Sequence, residues 1–454
     1  MLEKQNRIII VDNIENQLEI LGKSFFDNGL GCRTFKYDIA YEEPLNNVRI
    51  AFFDINLTEK VVDVNYDSDE QILQNNTAIF NDLANAINQY IAKDNGPYVL
   101  IFWTANSKVV DAFKLYMQDA TRGFSETASP IFIGCIDKTN YIEEQNGEQP
   151  SLSDTILNLL NNDEKIKFLF DFEENSRIAG ERSLNRIYDI LPKDELWGES
   201  KKLFEDLDKL LSKIAASTLG FQHAKESPKK AVYEGLLPII NYEFLNQDST
   251  VDWNQIVNQL HTAEKANNLL SPDESIQHKV NALYHIEDYS THQKDVRGCV
   301  IELDKTDDDI LKSFRISNFD SWFNGLVPIK TNQVRKNIRK DSKLIAIEFS
   351  AACDFSNKKS RINKYILGVV TNQFDIKEEL NKEIKAESSY HLGGCCFEHG
   401  GNKYNIWLNL NYVFGTTAED IRFGNPIFIL KKEIMDMLGN KYASHISRIG
   451  ITSF

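Results

Sequence analysis

Four apolar runs, each closed by a polar residue, constrain this chain more than any other feature. They are RIIIVDN, ending on Asp12 and Asn13; VRIAFFDIN, ending on Asp54 and Asn56; VLIFWTAN, ending on Thr104; and IFIGCIDK, ending on Lys138. Runs this short and this uninterrupted suit strands better than core helices. Because both alternating sets of positions are apolar, each strand is expected to be buried on both faces, as in a parallel sheet covered by helices. Between the runs the spacing turns helical. Leu18, Leu21 and Phe25 recur at intervals of three and four before Asn28-Gly29, and Ile79, Leu83, Ile87 and Ile91 share one face of a helix reaching from about Ile72 to Ile91. Strand alternating with helix predicts an α/β domain built on a doubly wound parallel sheet over residues 1–150. In such a sheet the carboxyl ends of the strands lie along one edge, so the four polar endings are predicted to converge there.

The texture then changes twice. Residues 151–295 carry apolar residues at helical spacing, as in SDTILNLLNNDEKIKFLFDF and ELWGESKKLFEDLDKLLSKIAASTL, and predict a helical bundle with Trp197 and Trp253 in its core. Residues 296–454 return to strands (GCVIEL, KLIAIEF, KYILGVV, YNIWLNLNYVF and PIFIL) and close with a helix from Lys431 to about Ser447. Alternation in KLIAIEF and NIWLNL predicts a mixed or antiparallel sheet with one wet face, hence an α+β domain.

Charge and composition narrow the partners. With 67 acidic and 51 basic residues the net charge is −16, which opposes a broad nucleic-acid footprint. The one basic run, Lys330 to Lys343, with Lys358, Lys359 and Arg361 beyond it, reads as a solvated loop. Neither a signal peptide nor a bilayer-spanning stretch is legible, so a cytoplasmic protein without membrane partners is expected. The 6 cysteines follow no regular spacing and read as reduced thiols.

The four endings make coherent chemistry. An aspartate can accept a phosphoryl group as an acyl phosphate. A hard cation held by carboxylate oxygens relieves the repulsion between two close acids and spreads charge on the transferring group. A lysine ammonium and a threonine hydroxyl can each bond a phosphoryl oxygen.

On the VDN after the first strand, FFDINL, IFWTAN and the lysine after the last strand, residues 5–142 resemble the receiver domain of two-component response regulators. The resemblance implies a flavodoxin-like sheet. It makes Asp54 the phosphoacceptor, Thr104 the hydroxyl that moves toward the phosphoryl group, and Lys138 its counter-ion. It places Mg²⁺ on Asp12, Asn13, Asp54 and the backbone carbonyl of Asn56. It also implies a histidine kinase or other phosphodonor protein, a downstream protein target reached through contacts of the output region, and room for a homodimer. Two departures stand out: Asn13 replaces a second acid, which predicts weaker metal binding, and Thr139 stands where the family usually has proline. Divergent receivers of this kind resemble those in bacterial conflict and phage-defence operons. A receiver that folds without taking phosphate is the alternative for this domain.

For the last region the alternative is an effector enzyme or a zinc-binding module. Cys353, His391, Cys395 and His399 offer ligands that Zn²⁺ prefers, although no paired CxxC knuckle is present. Cys353 and Asp354 with His391 or His399 also suit a thiol nucleophile and base, and Glu348, Asp354 and Lys358 a nuclease-like cluster. His278, His285 and His292 recur every seven residues and read as a polar helical stripe.

Overall fold

The apolar runs do form a parallel sheet. The computed structural model describes residues 7–58, 60–142, 151–161, 163–193, 197–287, 293–350, 362–372, 376–381 and 387–447. The chain divides into two units, residues 1–172 with 250–256, and residues 173–249 with 257–454.

In the first unit, β1 (Ile8–Asp12), β2 (Arg33–Lys36), β3 (Ile50–Phe53), β4 (Val99–Thr104) and β5 (Phe132–Asp137) pair in the order β2-β1-β3-β4-β5. Every pairing is parallel. The edge strand β2 escaped the sequence reading because its four residues, RTFK, alternate between half-buried and exposed and carry one aromatic. Helices α1 (Glu15–Asp27), α2 (Asp69–Tyr90), α3 (Val109–Gln118) and α4 (Thr139–Ile142) follow β1, β3, β4 and β5. α5 (Leu152–Asn161) and the first turns of α6 (Glu164–Asp189) complete the unit, and from residue 173 α6 belongs to the second unit. One sheet face, through Ile9, Val11, Phe53 and Phe102, packs on Leu83 and Ile87 of α2 and Phe113 of α3. The other, through Ile8, Ile10, Phe52 and Trp103, packs on Leu18, Leu21 and Phe25 of α1 and on Leu152 and Ile156 of α5. Each fully buried phenylalanine contributes roughly 1.5–3 kcal/mol relative to an exposed one, which is why both faces of these strands are apolar. α1 stops where Gly29 takes a φ of 72° and the N–H of Leu30 turns back to the carbonyl of Phe25. Ser68 caps α2, its hydroxyl accepting from the N–H of Gln71.

After the end of α6 the second unit continues with α7 (Lys201–Leu219), α8 (Phe221–Glu226) and α9 (Pro228–Leu245), joined at Ala215, Ala224 and Ala231. Two short helices follow, α10 (Trp253–Ile256), counted with the first unit, and α11 (Asn258–Thr262), before α12 (Glu274–His285). Trp197 is fully exposed and Trp253 is 45% exposed, packing edge-on against Phe168 of the first unit. Neither forms a bundle core: the buried contact among α7, α8 and α9 is made by Ala215, Ala224 and Ala231. His278 is buried, which corrects the expected polar stripe; His292 lies outside the described residues.

Strands β6 (Ile286–Glu287), β7 (Cys299–Leu303), β8 (Lys343–Glu348), β9 (Asn363–Asn372), β10 (Ser389–His391), β11 (Phe397–His399), β12 (Asn402–Thr416) and β13 (Phe423–Leu430) form an antiparallel sheet. Its order is β10-β12-β9-β8-β7-β13-β6, with β11 pairing to β12. The expected wet face is covered. Leu344, Ala346, Leu367 and Val369 pack against α13 (Asp308–Ser313), α14 (Phe319–Leu326) and α15 (Asn332–Asp341). Ile345, Ile347, Ile366 and Leu408 pack beneath Ile434, Met435 and Leu438 of the closing helix, Lys432–Ile446. β8 is therefore buried on both sides, along the consecutive apolar residues Leu344, Ile345, Ala346 and Ile347. The basic run is likewise a helix: it forms α15, with Arg339 paired to Asp320 at 2.8 Å and Arg335 donating to the carbonyl of Ile329. Lys358, Lys359 and Arg361 lie outside the described residues.

Candidate functional site

The strand order decides what the four endings can do. β1 and β3 are neighbours, but the chain reaches them by opposite windings, so the crevice of the doubly wound sheet opens between their carboxyl ends. Asp12 is the last residue of β1, and Asp54 directly follows β3, its N–H donating to the carbonyl of Val11 at 3.0 Å. Both carboxylates are thus held side by side by the register of the sheet. Thr104 ends β4 and Lys138 follows β5, one and two strands further along the same edge.

All four are buried: Asp12 and Thr104 are fully inaccessible, Asp54 is 2% exposed and Lys138 7%. The Lys138 Nζ donates to Asp54 Oδ2 at 2.7 Å, closing a buried ion pair across β4. The other carboxylate oxygen, Oδ1, accepts from the N–H of Ile55 at 2.7 Å. The Thr104 hydroxyl accepts from the N–H of Asn106 at 3.1 Å, while its carbonyl accepts from the Lys138 N–H at 3.3 Å. Position and burial therefore bring Asp12, Asp54, Thr104 and Lys138 to one edge.

Asp12 carries the strain of the arrangement. Its Oδ1 accepts from the N–H of Ile14 at 2.8 Å, but its Oδ2 is buried with no hydrogen-bond partner. Burial, helped by the Asp54 charge, pushes its carboxyl up to about 6, against the opposing pull of the Ile14 hydrogen bond and Lys138. The side-chain oxygen of the neighbouring Asn13 is also buried and unpartnered. The orphaned Asp12 oxygen, on a carboxylate that feels the Asp54 charge, is a hard donor of the kind a divalent cation such as Mg²⁺ takes. The Asn56 side chain braces the following loop, accepting from the N–H of Val62 at 3.3 Å.

One polar residue at this edge had no part in the sequence reading. Gln17, in the first turn of α1, accepts from Lys138 Nζ at 2.7 Å. The only trace in the sequence is a polar position just ahead of Leu18, the first apolar residue of the helix.

The last region is arranged differently. His391 is stacked on Trp407, with ring centroids 4.4 Å apart, and its Nε2 lies 3.0 Å from Asn405 Oδ1. Burial lowers its basicity. Burial pushes the Cys395 and Cys396 thiols up to about 11, away from the thiolate that binds metals or attacks carbonyls. His399 packs edge-on against Phe428. Among the described residues no three His, Cys, Asp or Glu side chains gather into a group able to hold a metal ion. Cys353 and Asp354, with Lys358, fall outside the described residues, so the thiol pair and the nuclease-like cluster built on them have no described geometry. No helix among the described residues is long and apolar enough to cross a membrane.

Comparison with known proteins adds no relative: no family model, no curated protein and no solved structure matches this chain.

Proposed function

We propose that the first unit is a phosphoryl-accepting receiver of flavodoxin-like fold and that the chain is a signalling protein switched at Asp54. The observation that carries this reading is the buried Asp54–Lys138 pair, 2.7 Å apart, beside a second buried carboxylate with an orphaned oxygen. A scaffold gains little from such a pair, since well-packed apolar residues are often equally stable in its place.

Asp12, Asn13, Asp54 and the carbonyl of Asn56 are the residues that would hold Mg²⁺. When bound, the cation screens the two carboxylates from each other and from the incoming phosphoryl oxygens. The rest is the work of the chain itself. An Asp54 carboxylate oxygen attacks phosphorus, and the bond between phosphorus and the donor's leaving group breaks with its electron pair leaving on the donor. Lys138 gives up its bond to the carboxylate and pairs with a phosphoryl oxygen. Thr104, one strand away, turns its hydroxyl from the N–H of Asn106 toward the new charge. That movement would alter the β4–α3 surface and pass the signal on by protein contact. A phosphodonor protein, such as a histidine kinase, and a downstream protein target are the partners this scheme requires.

The test is intact mass after incubation with Mg²⁺ and a small phosphodonor, for wild type and Asp54→Ala together. A phosphoryl increment in wild type alone supports the reading. If neither protein gains mass and neither binds beryllofluoride, Asp54 is scaffold.

A further inference from the structure

The Lys138 ammonium has two partners. Its Nζ donates to Gln17 Oε1 at 2.7 Å as well as to Asp54 Oδ2 at 2.7 Å. The two acceptors differ in kind. Asp54 carries charge, and one of its oxygens is consumed when an acyl phosphate forms. Gln17 is a neutral amide that the reaction leaves unchanged. It is also held by a rigid element: Leu18, Leu21 and Phe25 anchor α1 in the core beneath the sheet. A lysine stem has four rotatable carbons, and an ammonium that has just lost its carboxylate partner would otherwise have many rotamers to choose from.

We propose that Gln17 is a positioning residue for the phosphoryl site. Its amide oxygen keeps Lys138 Nζ at the carboxyl edge while the ammonium exchanges Asp54 for an oxygen of the arriving phosphoryl group. A neutral acceptor suits this task. A carboxylate at the same place would cancel the ammonium charge and repel the phosphoryl oxygens, whereas an amide orients the ammonium and leaves its charge for the ligand. The inference rests on the phosphoacceptor reading of Asp54 and adds the residue that holds the counter-ion.

The test uses full-length protein with Mg²⁺ and beryllofluoride as the phosphoryl mimic, titrated calorimetrically. Four chains are compared: wild type, Gln17→Met, Lys138→Met and the double variant. Methionine keeps the length and helix preference of glutamine and removes the acceptor. Gln17→Met is expected to bind about tenfold more weakly, the scale of one lost hydrogen bond to a charged group. In the Lys138→Met background the same substitution is expected to have no further effect. A purely structural contribution of Gln17 would persist there. Equal affinity of Gln17→Met and wild type overturns the proposal, as does a loss that survives in the Lys138→Met background.

Should the Lys138→Met chains fail to fold, acetylation of unliganded protein read by mass spectrometry replaces the cycle. Faster labelling of Lys138 in Gln17→Met, with other lysines unchanged, supports the tether; equal labelling overturns it. A wild-type protein that binds no beryllofluoride removes the phosphoacceptor reading and the proposal with it, an outcome distinct from a bound wild type matched by its variant.

Discussion

At the scale of single residues, Asp12 makes the sharpest prediction. Its carboxyl is pushed up to about 6 by burial, well above the value of an exposed aspartate. The folded state therefore holds the proton more tightly than the unfolded chain does. The resulting stability is fully present below about pH 4 and is lost as the pH rises through 6. Above pH 6 the folded chain carries a buried charge costing on the order of 3 kcal/mol, from about 1.4 kcal/mol per pH unit between the two values. Asp12→Asn removes that cost. Thermal denaturation should show the variant more stable than wild type at pH 7.5 and the two converging near pH 4. Addition of Mg²⁺ at pH 7.5 should raise the wild type and leave the variant almost unmoved, since the cation answers the charge that asparagine lacks. Identical melting at both pH values would mean that Asp12 is relieved by something other than protonation.

At the scale of elements, α5 shows how packing assigns a segment to a domain. Ile156 is 4% exposed and its neighbour Leu157 is 48% exposed, on the same helix. Ile156 lies in the core with Ile8, Ile10 and Phe52 of the sheet. Ile156→Ala should cost about 2–4 kcal/mol, whereas Leu157→Ala should stay within about 0.5 kcal/mol. Urea denaturation of the two variants checks the pair, and equal losses would refute the placement of α5 on the sheet. β9 and β12 offer a second check. A Cβ at Gly368 would come within 2.3 Å of the Trp407 carbonyl, so only glycine allows the two strands their approach. Gly368→Ala should destabilise this sheet and leave the first one intact, which hydrogen exchange resolved by residue can read.

At the scale of the whole molecule, two units with separate cores imply two responses to heat. The proposed site belongs wholly to the first unit, whose core is made of β1 to β5 and their helices. A ligand of that site should stabilise that unit by linkage, about 2.7 kcal/mol at a hundredfold excess over its dissociation constant. Scanning calorimetry of the full chain with Mg²⁺ and beryllofluoride should shift one transition upward and leave the other in place. A shift of both together would show that the units unfold as one.

What the sequence determined by itself was four of the five strands of the first sheet and the residues that end them. Buried parallel strands need apolar residues on both faces, and that demand is written locally, in runs such as IAFF and VLIFWT, each stopping at a polar residue. Asp12, Asp54, Thr104 and Lys138 could be named because each ends or follows such a run. Tertiary structure decided the rest. The partners of Lys138 depend on which strands lie side by side, and Gln17 meets it across 121 positions of chain through no local signal. β2 carries too little apolar surface to announce itself. KLIAIEF holds four apolar residues in a row, enough for two covered faces, but which helices cover each face is decided only by packing. Local pattern records what a segment requires of its surroundings; which segment supplies it is settled only when the chain has packed.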